Sequence, residues 1–345
     1  MTIVLFILIL GAIIFVHELG HFLFAKMFKV YVHEFALGMG PKLWSKKGKE
    51  TEYTLRAIPI GGFCQLAGES GEDEEDLPED RLLYGKKPWQ RFLIMVCGAV
   101  FNFVLAIILL FFIGLIWGSS SYKPIIADVE KNMPAYKAGV EANNKILAIN
   151  GNRVSTMDDV TLFLTLANRE KPVTMKVEKE DGAVETYKFR AKKVEVDGEE
   201  SYRFGINLET EKQTGFVNAV KYTFVKTGSI FRQMWYTVSN LFTGGIKLSQ
   251  LSGPVGIYSI VGEQSKQGFA NLLYLTALLS INVGFINLLP IPAFDGGRVL
   301  FLVIEKIKGS PVNPKTEGII HAVGLALLML LMVYITFQDI RNLFF

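Results

Sequence analysis

The chain has 345 residues, of which 50% are hydrophobic, 12% aromatic and only 20% charged. Its mean hydropathy of +0.32 is too high for an ordinary soluble domain, so much of it belongs in lipid. A net charge of +3, from 36 Lys+Arg against 33 Asp+Glu, creates no global basic field and argues against a nucleic-acid partner.

Four apolar segments are long enough to cross a bilayer, which takes roughly 20 residues of helix. They run from Ile3 to Phe24, Phe92 to Trp117, Phe269 to Phe294 and Ile319 to Phe337. The first lacks the basic start and small-residue cleavage site of a secretory signal and is expected to stay on the protein. The expected fold class is therefore a polytopic α-helical membrane protein with about four transmembrane helices. Its parts are expected at 1–117, 118–210, 211–268 and 269–345.

Between the first two spans, Tyr53 to Cys64 alternates and then turns at Pro59-Ile60-Gly61-Gly62. The run from Glu69 to Asp80 holds eight acidic residues without the ligand spacing of a calcium loop, and reads as a solvated linker. Cys64 and Cys97 are too few for a disulfide framework and read as free thiols.

After the second span, 118–210 reads as a small, mostly β domain, with turn signals at Asn150-Gly151 and Asp181-Gly182 and alternation over Val173–Val177 and Tyr187–Phe189. Phe216, Val220, Phe224, Phe231, Trp235, Val238 and Phe242 then follow helical spacing, with Lys221, Lys226 and Arg232 among the polar positions. The stripe fits an amphipathic helix on the membrane surface within 211–268, or a helix packed on the β domain.

Lys and Arg concentrate between spans one and two, and again between three and four at Arg298, Lys306, Lys308 and Lys315. By the positive-inside rule both stretches are cytoplasmic, and both termini and the β domain lie outside.

His17-Glu18-Leu19-Gly20-His21 is an H-E-x-x-H motif. Spacing of four places both imidazoles on one helix face as two zinc ligands, and Glu18 beside them can take a proton from an activated water. A pair of hydrogen-bonded core histidines is the other reading. Three ionisable groups within five residues of a membrane span, however, call for a common explanation, and metal supplies one. Catalytic zinc needs a third protein ligand. His33 lies past the span in a charged loop, and His321 sits in the fourth span without a nearby carboxylate. Asp295 is the better candidate, because it closes the third apolar segment where Pro290, Pro292, Gly296 and Gly297 break the helix.

Together these motifs resemble the site-2 protease family of intramembrane zinc metalloproteases, and within it the RseP-like branch, here with a single PDZ domain. The features that carry the likeness are H-E-x-x-H in the first span, N-x-x-P-x-P-x-x-D-G from Asn287 to Gly296 and the β domain between the second and third spans. The resemblance implies Zn2+ held by His17, His21 and Asp295, with Glu18 as catalytic base. Gly98-Ala99-Val100-Phe101-Asn102 is similar to the family's G-x-x-x-N motif, although the proline often found after the glycine is Ala99 here. Asn102 and Asn287 either contact substrate or bond a neighbouring helix.

Gly61 and Gly62 look like part of the family's membrane-associated β-loop. An exposed strand edge there would hold an unwound substrate; a plain hairpin is the alternative. Phe204-Gly205-Ile206 resembles the carboxylate-binding loop of PDZ domains and would receive a peptide terminus.

The expected function is cleavage of transmembrane segments of other membrane proteins, such as anti-sigma factors or signal-peptide remnants, by a multi-pass protein of the plasma membrane whose site lies near the cytoplasmic side. The competing class is a PDZ scaffold with a structural metal, which would leave Glu18 without a purpose. A metal transporter would need more carboxylates along the spans, and spans two and four offer none before Asp339.

Overall fold

The computed structural model describes the chain except for residues 70–76, 121, 169–170, 197–198, 209–211, 247–250, 311 and 345. Most of the acidic run, from Glu72 to Asp76, lies outside the described residues.

In chain order, α1 (Thr2–Met27) leads to the long strands β1 (Val32–Lys47) and β2 (Glu52–Leu66) and then to α2 (Pro88–Ile116). There follow β3 (Ser119–Ser120), β4 (Ile126–Val129), α3 (Pro134–Lys137), β5 (Lys145–Ile149), β6 (Asn152–Arg153) and α4 (Met157–Thr165). Next come β7 (Val173–Glu178), β8 (Val184–Phe189), β9 (Lys192–Val196), β10 (Glu199–Arg203), β11 (Ile206–Leu208) and β12 (Lys212–Gln213). The chain ends in helices: α5 (Phe216–Phe242), α6 (Pro254–Gln267), α7 (Phe269–Asn287), α8 (Asp295–Lys308) and α9 (Pro314–Phe344). Two compact units result, one of residues 1–109 and 247–345, the other of residues 110–246. Among the described residues four helices, α1, α2, α7 and α9, are long and apolar enough to cross a membrane. The protein is a polytopic helical membrane protein with an inserted, mainly β domain.

In the first unit, Gly20 and Gly98 let α1 and α2 touch. A Cβ at Gly20 would meet the Cys97 carbonyl oxygen, and one at Gly98 would meet the His21 ring. Strands β1 and β2 pair antiparallel but bend, so residues 34–37 lie between 52–55 on one side and 62–65 on the other, while 42–47 pair with 52–56. Gly38 and Gly61, at φ of 88° and 91°, make the bends possible. Residues 62–65 thus form an edge; among the described residues no strand pairs along the other side. Glu34 is buried in this sheet, accepting hydrogen bonds from Thr54 Oγ1 at 2.5 Å and Arg56 Nη2 at 2.7 Å.

Helix α9 is the least packed of the spans. At its far end the buried carboxyl of Asp339 accepts from the Gly256 N–H at 2.8 Å and so satisfies part of the open start of α6.

The second unit packs a four-stranded sheet, β6-β5-β7-β8, around Ile126, Ile146, Ile149, Val173, Met175 and Val177. Asn150 and Gly151, both at positive φ, turn β5 into β6. A capping box of Thr156 and Asp159 starts α4. Helix α5 lies on α4: Lys226 Nζ meets Asp158 Oδ1 at 2.6 Å, and Phe163 packs edge-on against Tyr236 at 5.0 Å.

The structure differs from the sequence-based expectations in several places. The third span ends at Asn287, not Phe294; Leu288–Phe294 is irregular, and Asp295 opens a separate amphipathic helix, α8, instead of closing the span. Residues 211–268 are not one segment: α5 belongs to the second unit and α6 to the first. The buried residues of α5 are also mostly small or polar, Ala219, Thr223, Thr227 and Ser229 beside the apolar Ile230, which leaves Phe224, Trp235 and Phe242 of the apolar stripe exposed. Finally, the strand β1 preceding the Tyr53–Cys64 alternation was not foreseen, because its lysine-rich second half resembles a loop.

Candidate metal centre

His17 and His21 project from successive turns of α1, both buried, and Asp295 reaches them from the first turn of α8. Three atoms converge: His17 Nε2 and Asp295 Oδ2 at 3.1 Å, His21 Nε2 and Asp295 Oδ2 at 3.3 Å, and the two Nε2 atoms at 3.2 Å. Zinc bonds of 2.0–2.1 Å at a tetrahedral centre separate their ligands by about 3.3 Å. The triangle therefore has the size of one face of a zinc tetrahedron. Asp295 Oδ2 is buried without a hydrogen-bond donor among the described residues, as suits an atom reserved for a cation. These residues are the group of His, Cys, Asp and Glu found placed to hold a metal among the described residues.

Each imidazole is held from behind. His21 Nδ1 donates to the Ile94 carbonyl oxygen of α2 at 2.8 Å, leaving Nε2 bare for metal. His17 Nδ1 lies 3.3 Å from the Asn102 amide nitrogen, and the Asn102 oxygen is buried without a partner. Turning that amide over, which exchanges its O and N, lets the oxygen accept from His17 Nδ1–H and again leaves Nε2 bare. The approach of Asp295 needs the two glycines that follow it, since a Cβ at Gly296 would strike the Leu288 and Leu289 carbonyl oxygens and one at Gly297 that of Ile291, 2.6 Å away.

A cavity of about 480 Å³ opens on the three converging atoms. Glu18 lines it beside Gly61, Gly62, Cys64, Asn287, Arg298 and His321. Gly62 presses α1 next to Glu18: a Cβ there would come within 3.4 Å of the Glu18 Cγ and 2.9 Å of the Ala36 carbonyl oxygen. Burial holds the Cys64 thiol far above its ordinary pKa, so it stays neutral. Arg298 and Glu69 pair at 2.6 Å in the cavity wall.

Of the site residues expected from sequence, His17, Glu18, His21, Asp295, Asn287, Gly61 and Gly62 share this cavity. Asn102 does not line it; it is 0% exposed and touches His17 instead. His33 stands apart, edge-on to Tyr31 at 5.0 Å. Phe204, Gly205 and Ile206 lie in the second unit, where Gly205 has a φ of 80°, its carbonyl accepts from the Glu130 N–H at 3.0 Å, and Ile206 pairs with Val129. His321, set aside as a metal ligand on sequence grounds, lines the cavity, as does Arg298, which the sequence placed only among the cytoplasmic basic residues.

A helix-borne H-E-x-x-H facing an aspartate from a broken span, within a bundle of apolar helices, defines the class of membrane-embedded metallopeptidases. Residues 5–331 match the model of peptidase family M50. The chain belongs to that family and is a zinc metalloprotease of the site-2 type.

Its relatives are similar along their full length. The chain is 33% identical to the regulator of sigma-W protease RasP of Bacillus subtilis, with 99% of each chain covered. It is 38% identical to a putative zinc metalloprotease of Clostridium perfringens, covering 99% of this chain and 98% of the other. A zinc metalloprotease RasP of Bacillus licheniformis is 32% identical, with 99% of each covered.

Proposed function

We propose that this protease cuts membrane-spanning segments of other proteins at the cavity lined by α1, β2, α7, α8 and α9, with zinc held by His17 Nε2, His21 Nε2 and Asp295 Oδ2. The observation that carries the reading is the triangle of three bare ligand atoms 3.1 to 3.3 Å apart beside Glu18. When bound, the zinc would acidify a water and polarise the scissile carbonyl. Glu18 takes the proton of the attacking water and passes it to the leaving amine. Asn102 and Ile94 keep the imidazoles in the tautomer that faces the metal.

The edge formed by residues 62–65 supports strand addition. A substrate unwound from its helix would pair with its free backbone groups, placing the scissile bond over Glu18. Asn287, at the end of α7 in the cavity wall, offers an amide to the same extended backbone. The Lys/Arg distribution supports a cytoplasmic position for the β1–β2 sheet and α8 and an outside position for the termini and the β domain, in a multi-pass protein of the plasma membrane. The similarity to a protease named for regulating sigma-W supports anti-sigma factors as one substrate class; signal-peptide remnants are a second.

The second unit reads as a PDZ-like module. Leu164, Thr165 and Ala167 at the end of α4 line, with Phe204, a cavity of about 200 Å³ beside the Phe204-Gly205-Ile206 loop, which suits a peptide terminus. The exposed Phe224, Trp235 and Phe242 of α5 suit a lipid surface.

The test is Glu18→Gln in purified, membrane-reconstituted protein. Zinc content is expected to stay at the wild-type level while cleavage of a transmembrane peptide falls by about 10²–10⁴-fold. Undiminished cleavage would overturn the mechanism.

A further inference from the structure

His321 shares the cavity with the candidate ligands and Glu18 but is not one of the converging atoms. Its Nδ1 accepts a hydrogen bond from the Ala293 backbone N–H at 3.1 Å. A ring nitrogen that accepts carries no proton, so the neutral imidazole has its proton on Nε2. That Nε2 is buried and has no partner among the described residues. An oriented buried donor without an acceptor is rare in a native fold and needs an explanation.

The surroundings hold this orientation. Ala293 sits at a φ of 84°, in the left-handed region that residues with a Cβ seldom occupy, and in that conformation its N–H meets His321. Gly297 leaves room for the ring, since a Cβ there would lie 3.2 Å from the His321 Cε1. Phe301 flanks the imidazole at a centroid distance of 5.7 Å. Ala293 stands two residues before Asp295, so one irregular loop fixes both the third candidate ligand and the tautomer of His321.

We propose that His321 is a catalytic residue whose Nε2–H donates to the scissile carbonyl oxygen of the substrate. The inference rests on the peptidase reading above. As water adds to the carbonyl carbon, the C=O π pair moves onto oxygen, and a fixed donor stabilises that growing charge more than it stabilises the ground-state carbonyl. The water proton goes to Glu18, and His321 keeps its own proton throughout. Its part is to hold the oxygen; it supplies no proton and binds no metal.

The two ring nitrogens can be separated by substitution. In His321→Asn the amide oxygen falls near the position of Nδ1 and can still accept from Ala293, but nothing occupies the place of Nε2. In His321→Gln an amide N–H reaches that place. Cleavage of a transmembrane peptide, zinc content, and affinity for a phosphinic peptide mimic in a Glu18→Gln background are measured for each. For His321→Asn we expect kcat to fall about 10²–10³-fold with KM and zinc content unchanged, and mimic affinity to fall alongside kcat. His321→Gln should recover about tenfold of the loss, as expected for part of one donor's contribution. Wild-type kcat in His321→Asn would overturn the proposal, and so would loss of zinc, which would make His321 a prop for the Asp295 loop. Wild-type protein without Glu18-dependent cleavage would overturn the peptidase reading itself, a result distinct from either.

Discussion

Asn102 gives the sharpest separation between holding metal and holding substrate. Its side chain is 0% exposed, does not line the cavity, and is the partner of His17 Nδ1 among the described residues. Replacing it with Leu keeps the volume and the backbone, including the Asn102 carbonyl that accepts from Ser280 Oγ at 2.8 Å. What is lost is the acceptor behind His17. The imidazole can then place its proton on Nε2, the atom facing Asp295, where it blocks a metal. Removing such a supporting partner costs about 10–100-fold in metal affinity, or about 1.4–2.7 kcal/mol. Zinc dissociation constants for wild type and Asn102→Leu, obtained by competition with a chelator in detergent, give the comparison directly. At saturating zinc, KM for a transmembrane peptide should stay the same. A zinc affinity within about threefold of wild type together with a raised KM would refute the argument and return Asn102 to the substrate contacts.

Other substitutions test other joints. Gly98→Ala places a methyl against the His21 ring, so α1 and α2 must part; zinc stoichiometry by elemental analysis should fall well below one, at a stability loss of about 1–3 kcal/mol for overpacking. Glu34 tests the sheet by pH. Burial favours its neutral form, but hydrogen bonds from Thr54 and Arg56 and the nearby Lys42 outweigh this and hold the carboxyl below its ordinary 4.5. A folded pKa below the unfolded one gives stability that is complete above about pH 4.5 and is lost as pH falls through the folded value. Glu34→Gln should be less stable at pH 7, by about 1–3 kcal/mol, and should lose less on acidification when thermal unfolding is followed from pH 7 to 3.5.

Much of the site was legible because its chemistry is local. Helical spacing alone brings His17, Glu18 and His21 to one end of α1, and the prolines and glycines around Asp295 mark the break from which it reaches them. The remainder depends on backbone positions that carry no sequence signal. His321 looked isolated because its partner is a main-chain N–H, and the alanine supplying it sits at a positive φ that residues with a Cβ seldom adopt. Asn102 was recognised as a motif residue, yet only the packing of α1 on α2 shows that it faces His17. Helix α8 was hidden because the apolar run of α7 continues through Leu288–Phe294, and hydropathy does not register the turn between them. The stripe on α5 was read correctly as a helix, whereas its partner was chosen by Asp158 and Lys226, an ion pair that periodicity cannot reveal.

The pinning of α9 at its two ends has a consequence for handling the protein. His321 on Ala293 fixes one end and Asp339 on the start of α6 the other, while between them Leu327, Leu330 and Val333 are exposed. In a bilayer that exposed stretch would face acyl chains, which extraction into micelles replaces. Ala322 and Leu325 of the same helix line the cavity on which the candidate ligands converge, so detergent tail length is expected to join temperature and pH among the variables that set the shape of that cavity.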